Sequence, residues 1–278
     1  MILYKIIREK DRPCTVTEDI IRHAKLNKVD LEILQKFENK EAIKQLEKIR
    51  KLLQLIHVLH RELSRNFALF KFQKPVRYTP SDIDIIAHVD VVKDIVNILK
   101  RRRFKIAVWE RYCITLTRGS EIVDIYVHPC IAGSVVYMNG EVLLRNVELR
   151  VVEDFEVPCI GKPCEVVVTS AHAVYKEGIV TLCDVLTVEE WICDEAFKIA
   201  YETKCTDSLR FLLNIVKLVK CGKIELPYKI PIGAHLMFLF RKFADDPLFR
   251  ETLLFSIEKL RDPRLGSSIL SHILRITY

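Results

Sequence analysis

Hydrophobic and polar positions divide the chain into three stretches with different periods. From Asn39 to about Ser64, residues Ile43, Leu46, Ile49, Leu53, Ile56 and Leu63 recur at helical spacing, with Lys and Arg on the other side. That pattern predicts one long amphipathic helix. Upstream, Thr15-Val16-Thr17-Glu18-Asp19 has the form of a helix start, with acidic residues in the first turn. The period shortens in the middle of the chain. Phe67–Phe72, Asp82–Ala87, Phe104–Val108, Tyr112–Thr117 and Ile122–Val127 read as strands, with Arg118-Gly119-Ser120 as a turn. Between them, Val91–Arg103 reads as a helix with Val92, Ile95, Val96 and Leu99 on its apolar stripe. The run Lys100-Arg101-Arg102-Arg103 closes it, where positive charge suits a helix C-terminus.

Asn139-Gly140, set between two apolar runs, predicts a hairpin turn. A further strand pair is expected at Phe155–Val157 and Glu165–Val168, joined through Ile160-Gly161-Lys162-Pro163. From Ser170, a residue of N-cap type, the chain reads as nearly all helix. Helices are expected over 188–203, 207–220, 231–244, 248–260 and 266–276, with breaks at Cys221-Gly222, Pro227, Pro231, Asp246-Pro247 and Asp262-Pro263. The fold class is therefore α+β: a helical N-terminal arm (1–66), a small α/β core with a mixed sheet (67–169), and a C-terminal helical domain (170–278).

Composition narrows this. The chain has 278 residues, half of them hydrophobic and 29% charged. It has no apolar run near the roughly 20 residues of a membrane helix and no secretory leader, so a cytoplasmic protein without a membrane partner is expected. Scarce Gln and Asn beside dense charge of both signs suit a thermophile. Nine cysteines fit that reading only where thiols can be oxidised, as in hyperthermophilic archaea. The net charge of +7 is uneven. Residues 1–66 carry fifteen Lys/Arg against ten Asp/Glu, and residues 67–125 eleven against seven, while the rest is slightly acidic. Such a bias suits a polyanionic ligand, a nucleotide or nucleic acid, and it equally suits a solvated basic face.

The candidate chemistry lies in Ser81-Asp82-Ile83-Asp84-Ile85 and Ile122-Val123-Asp124-Ile125. In a strand, Asp82 and Asp84 share one face while Ile83 and Ile85 face the core. Carboxylates among isoleucines need a cation, and three of them predict a divalent-metal site, Mg2+ or Mn2+, of the kind that serves phosphoryl chemistry. Asp124 is the candidate to complete the site and to help deprotonate the attacking group. The alternative is structural: Asp82 caps the loop after Pro80, and Asp84 pairs with Lys71 or Arg77. Elsewhere, His57 and His60 read as surface or boundary histidines. Cys159 and Cys164 lack the second pair a zinc site needs, and are expected as a disulfide or as buried thiols. His128 either reaches the carboxylates or ends its strand beside Pro129.

The double-Asp strand with a later apolar-Asp-apolar strand resembles the nucleotidyltransferase superfamily of DNA polymerase β type. It is most similar to a prokaryotic subgroup of uncharacterised nucleotidyltransferases that includes relatives of abortive-infection toxins. The similarity rests on Lys71, Arg77, Ser81–Asp84, His172, Lys176 and Leu182-Cys183-Asp184, within about residues 65–195. The resemblance implies a small mixed sheet and transfer of a nucleoside monophosphate from an NTP with Mg2+. It implies metal ligation by Asp82, Asp84 and Asp124, and nucleotide contacts from Lys71, Arg77, Ser81 and Lys176. The acceptor would be RNA, a protein or a small molecule. A module that has kept the fold only to bind nucleic acid or a protein, or a toxin with an antitoxin partner, is the rival expectation. One departure bears on activity. The superfamily's Gly-Ser or Gly-Gly phosphate loop is replaced by Phe72-Gln73, and no Gly occurs before Gly119.

Overall fold

The computed structural model describes residues 2–8, 17–63 and 66–259. Four helices lead: α1 (Ile2–Arg8), α2 (Glu18–Leu26), α3 (Asp30–Lys36) and α4 (Lys40–Leu63). The central stretch holds β1 (Phe67–Leu69), β2 (Ile83–Ala87), α5 (Val89–Arg101), β3 (Lys105–Trp109), β4 (Cys113–Arg118) and β5 (Glu121–Tyr126). Then come β6 (Cys130–Ile131), β7 (Val135–Val136), α6 (Gly140–Leu144), β8 (Val147–Val152), β9 (Phe155–Ile160) and α7 (Lys162–Ala171), which runs into a π-helical turn, His172–Glu177. The remainder is β10 (Ile179–Val180), α8 (Leu182–Trp191), α9 (Asp194–Glu202), α10 (Thr206–Lys220), β11 (Tyr228–Lys229), α11 (Ile232–Asp245) and α12 (Pro247–Lys259). The fold is α+β, as expected.

Seven strands form one mixed sheet in the order β3-β4-β5-β2-β1-β9-β8. β2 and β5 are parallel, as are β1 and β9, and the other pairs are antiparallel. Alternation along the strands sends side chains to two cores. Ile83, Ile85, Val123, Ile125, Ile114 and Leu116 pack with α4 and α5. Ala68, Phe70, Ile86, Cys113 and Tyr126 pack on the other face, with the C-terminal helices. Both cores cross the expected segment boundaries: the first takes in Leu31, Leu52, Leu53, Leu55 and Ile56 from the N-terminal helices, and the second runs from Leu3 to Phe249.

Several expectations need correction. Asn139-Gly140 starts a helix instead of turning a hairpin. Asn139 caps α6 by accepting from the Glu141 amide, and Gly140 is squeezed against the Val127 carbonyl, where a β-carbon would collide. Glu165–Val168 is no strand but the interior of α7, buried from Cys164 to Ala171. A helix buried all round shows no amphipathic period, so its Val run imitates a strand. β9 pairs instead with β8. Ser170 is no cap: it lies inside α7, its hydroxyl donating to the Val166 carbonyl. The helix expected over 188–203 is two helices, with Thr181 and Asp184 forming a capping box for α8 and a break at Ile192-Cys193. Ile43 lies on the outer side of α4, 60% exposed, while Leu52, Leu55 and Leu59 face inward. The helix expected over 266–276 lies outside the described residues.

Candidate metal and nucleotide site

Register brings the three carboxylates together. Asp84 on β2 is the direct neighbour of Asp124 on β5 across the parallel pair, so both point to the same face. Asp82, just before β2, completes the group: one carboxylate oxygen from each of the three lies within 4.8 Å of the others. Asp124 is oriented from two sides. The Thr115 hydroxyl, opposite it on β4, donates to Asp124 Oδ1 at 2.5 Å, and the Tyr126 hydroxyl lies 3.5 Å from Oδ2. Ser81 donates its hydroxyl to Asp82 Oδ1 at 2.7 Å.

Lys71 is the cation nearest the group, with Nζ 2.8 Å from Asp84 Oδ2. It adopts φ +58, a left-handed conformation that costs a residue with a β-carbon about 1 kcal/mol. Strain of this kind collects at functional positions. Lys71 Nζ also lies 5.4 Å from the Tyr126 ring, and Lys176 Nζ lies 5.9 Å from the same ring. Two lysines therefore lie close enough to the carboxylates for their charges to act on Asp84 and Asp124. The loop after Lys71 is fixed on α7, where Lys74 reaches buried Glu165 at 3.4 Å and the Thr169 hydroxyl at 2.8 Å.

Three carboxylates crowded around one ammonium shift both partners. Burial first, and Asp82 against the pull of Lys71, raise Asp84 to about 6. Burial also raises Asp124. Lys71 is raised despite its burial, because Asp84 leads three anions that hold its charge. The two shifts agree physically: the site favours positive charge and resists each added negative one.

The residues fit a divalent cation. The donors are all hard carboxylate oxygens, as Mg2+ and Mn2+ prefer. Asp84 Oδ1 is buried without any hydrogen-bond partner, on a residue of the group. An orphaned carboxylate oxygen is costly unless something arrives to use it.

Two neighbouring groups are also in place: His172, noted above only for the resemblance, and Glu110, which the sequence did not flag. His172, at the start of the π-helical turn, lies 3.4 Å through Nδ1 from the Tyr137 hydroxyl and 3.3 Å through Nε2 from Glu177. Burial, with Lys71 nearby, lowers its pKa to about 3. It is a neutral imidazole at pH 7, and its contact with Glu177 is a hydrogen bond rather than an ion pair. Glu110, at the end of β3, is raised by burial and then by the charge of Asp124. Periodicity along the chain offers no signal for His172 beyond the resemblance, and none for Glu110, because Tyr137 and Asp124, which they approach, come from other segments.

The remaining expected residues lie elsewhere. Arg77 lines a separate cavity of about 510 Å³ with Trp191, Phe72 and Arg150, and its amide donates to Glu32 at 3.1 Å. His128 lies two residues beyond the end of β5 and accepts from the Gly140 amide at 3.0 Å, serving α6. His57 contacts the Glu156 carbonyl at 2.9 Å on β9. Cys159 and Cys164 are buried free thiols, each raised to about 12 by burial.

No family model matches the chain, and no curated protein matches it. Solved structures do resemble it. One is ANT(2″)-Ia in complex with adenylyl-2″-tobramycin, at 13% identity, covering 60% of this chain and 95% of that one, with a TM-score of 0.36. Another is the lincosamide antibiotic adenylyltransferase LnuA, lincomycin-bound, at 16% identity, 61% and 96% coverage, and a TM-score of 0.33. A nucleotidyltransferase-like protein from Paracoccidioides brasiliensis matches at 12% identity, 78% and 91% coverage, and a TM-score of 0.31. Likenesses this distant leave any assignment to the site itself.

Proposed function

We propose that this chain is a divalent-metal-dependent nucleotidyltransferase that passes a nucleoside monophosphate from an NTP to a hydroxyl acceptor. The carrying observation is the convergence of Asp82, Asp84 and Asp124 with Asp84 Oδ1 left unpartnered. Bound there, Mg2+ or Mn2+ would supply Lewis-acid charge neutralisation at the phosphates. Lys71 and Lys176, both near the Tyr126 ring, would hold phosphate oxygens in place of a glycine loop, with Ser81 beside Asp82. Arg77 belongs to this set only through the tail of the nucleotide, since it faces the neighbouring cavity.

The acceptor oxygen would attack the α-phosphorus while the bond to the bridging oxygen breaks and pyrophosphate leaves. The acceptor's proton would pass to a carboxylate, and Asp124, part-exposed where Asp84 is buried, is the candidate. Burial keeps Asp124 a stronger base than an ordinary aspartate, which suits that task.

The test is transfer of label from [α-32P]ATP, with Mn2+ or Mg2+, to RNA, to protein or to water. Wild type should release pyrophosphate, and Asp84→Asn should lower the rate at least 100-fold. A wild-type protein that binds Mn2+ and ATP but never releases pyrophosphate supports the rival reading, a binding module or toxin partner that has kept the fold. One observation favours that rival: Lys71 already satisfies Asp84 Oδ2, so the site is neutralised in part without a ligand.

A further inference from the structure

The helices behind the π-helical turn are not covered evenly. α11 opens with nine residues, Ile232–Phe240, of which His235 is the one polar side chain. A helix that is apolar on every side needs cover on every side. One side has it. Phe238 is buried, with its ring 5.0 Å from that of Phe211. His235 lies against Gly178, where a β-carbon would come within 3.3 Å of Nδ1, and Lys242 lies 5.3 Å over the Tyr175 ring. The inner side of α11 therefore backs the turn that carries Lys176.

The outer side is open. Ile232, Leu236 and Phe240 recur every fourth residue and share one face, with Met237 beside them. Exposure runs from 45% at Met237 to 73% at Phe240. Among the described residues no other helix leaves four large apolar side chains exposed. Together they present on the order of 500 Å2 of apolar surface, as much as the largest patch of an ordinary monomer. Charge is kept off this face: Arg241, the first charged residue of the helix, is held by Asp207 of α10 at 3.5 Å. Gly233 is exposed as well, with nothing within 4 Å of where its β-carbon would be.

We propose that this face of α11 pairs antiparallel with the same face of a second copy of the chain. The spacing is self-complementary. A two-fold axis beside Leu236 sets Phe240 of one copy over Ile232 and Gly233 of the other, so that the largest side chain meets the gap left by the smallest residue. Four anchors of this size, with Pro231 and Ala244 exposed at the rim, approach the roughly 800 Å2 per partner of a standard interface. An uncharged patch gives an acidic or basic partner nothing to grip. Pairing here does not depend on nucleotide transfer, and it would brace the Lys176 turn from behind.

Sedimentation velocity on the full chain should show a dimer of twice 32.4 kDa. Leu236→Glu and Phe240→Glu should each raise its dissociation constant at least 100-fold, since each sets like charges across the axis in an apolar contact. Both side chains are exposed in the single copy, so the circular dichroism of these variants should match wild type. Val108→Glu and Val151→Glu, on the two exposed edges of the large sheet, should leave the dimer intact. Asp84→Asn should dimerise as wild type does, so that pairing and transfer fail separately. Phe240→p-benzoylphenylalanine identifies what covers the face. In a mixture of isotopically labelled and unlabelled protein, its photo-crosslink should join one copy to the Ile232–Leu236 stretch of another. The proposal is overturned by a monomer at every concentration, by a dimer that survives Leu236→Glu and Phe240→Glu, or by a crosslink within one chain to residues 260–278.

Discussion

Among the described residues two lysine–aspartate pairs are buried, and they differ in what is left over. Lys242 and Asp246, one turn apart on and after α11, are 2.9 Å apart, and the lysine side chain is 0% exposed. Lys242 also donates to the Thr203 and Lys204 carbonyls, and Asp246 accepts from the Leu248 and Phe249 amides. Every strong donor and acceptor of that pair has a use within the fold: it closes the end of α9 and caps α12. Lys71 and Asp84 are as close, at 2.8 Å, yet Asp84 Oδ1 has no partner and two further carboxylates crowd the same space. Burial alone therefore does not separate structural from functional charge. The unfilled hydrogen-bonding capacity of Asp84 is what sets the two pairs apart.

The contrast can be broken by substitution. The largest effect is expected at the satisfied pair. Lys242→Met strands Asp246 and two carbonyls, and should cost about 3–5 kcal/mol in urea unfolding while leaving Mn2+ affinity unchanged. At the other pair the order reverses: Asp84→Asn should weaken Mn2+ binding at least 100-fold, read by isothermal titration, without a comparable loss of stability. The pH dependence sharpens this. Asp84 holds its proton more tightly folded than unfolded, so its contribution to stability is most favourable below about pH 4 and is lost as pH rises to about 6. The asparagine variant should therefore gain stability over wild type above pH 6, by up to about 3 kcal/mol, and lose that advantage below pH 4. If its melting temperature falls at pH 8, the site is a structural ion pair after all. Mn2+ fixed at ten times its pH 7.5 Kd should raise wild-type stability by about 1.4 kcal/mol at pH 7.5 and by less at pH 5, because the ion competes with the Asp84 proton. The smallest effect belongs to Thr115→Val. Losing its bond to Asp124 should weaken Mn2+ binding about threefold to tenfold, roughly 1 kcal/mol.

The same distinction explains what the sequence disclosed. Asp82, Asp84 and Asp124 were legible because strand alternation is local: once Ile83 and Ile85 face a core, the aspartates must face away, and a parallel pairing brings the third beside them. The long helix α4 and the basic end of α5 were legible for the same reason, since an exposed face preserves the period. What failed was the interior. In α7 the buried Val166–Val168 run has no polar side to betray a helix, and Asn139-Gly140 carries one signal for two uses, a turn or a cap. The resemblance makes Lys71 a phosphate ligand, and the sequence allows it equally as the partner of Asp84. The structure shows that pairing. The Thr115–Asp124 bond, the approach of Glu110 to Asp124 and the His172–Tyr137 contact depend on pairings that no short window along the chain reveals.

The central claim is that the orphaned oxygen of Asp84 marks a metal site. Mn2+ titration followed by electron paramagnetic resonance, on wild type, Asp84→Asn and Asp124→Asn, tests it most directly. One tight class of bound Mn2+ in wild type, abolished in both variants while Lys242→Met retains it, is the predicted result. Equal binding by wild type and the two aspartate variants, or none by wild type, would contradict it.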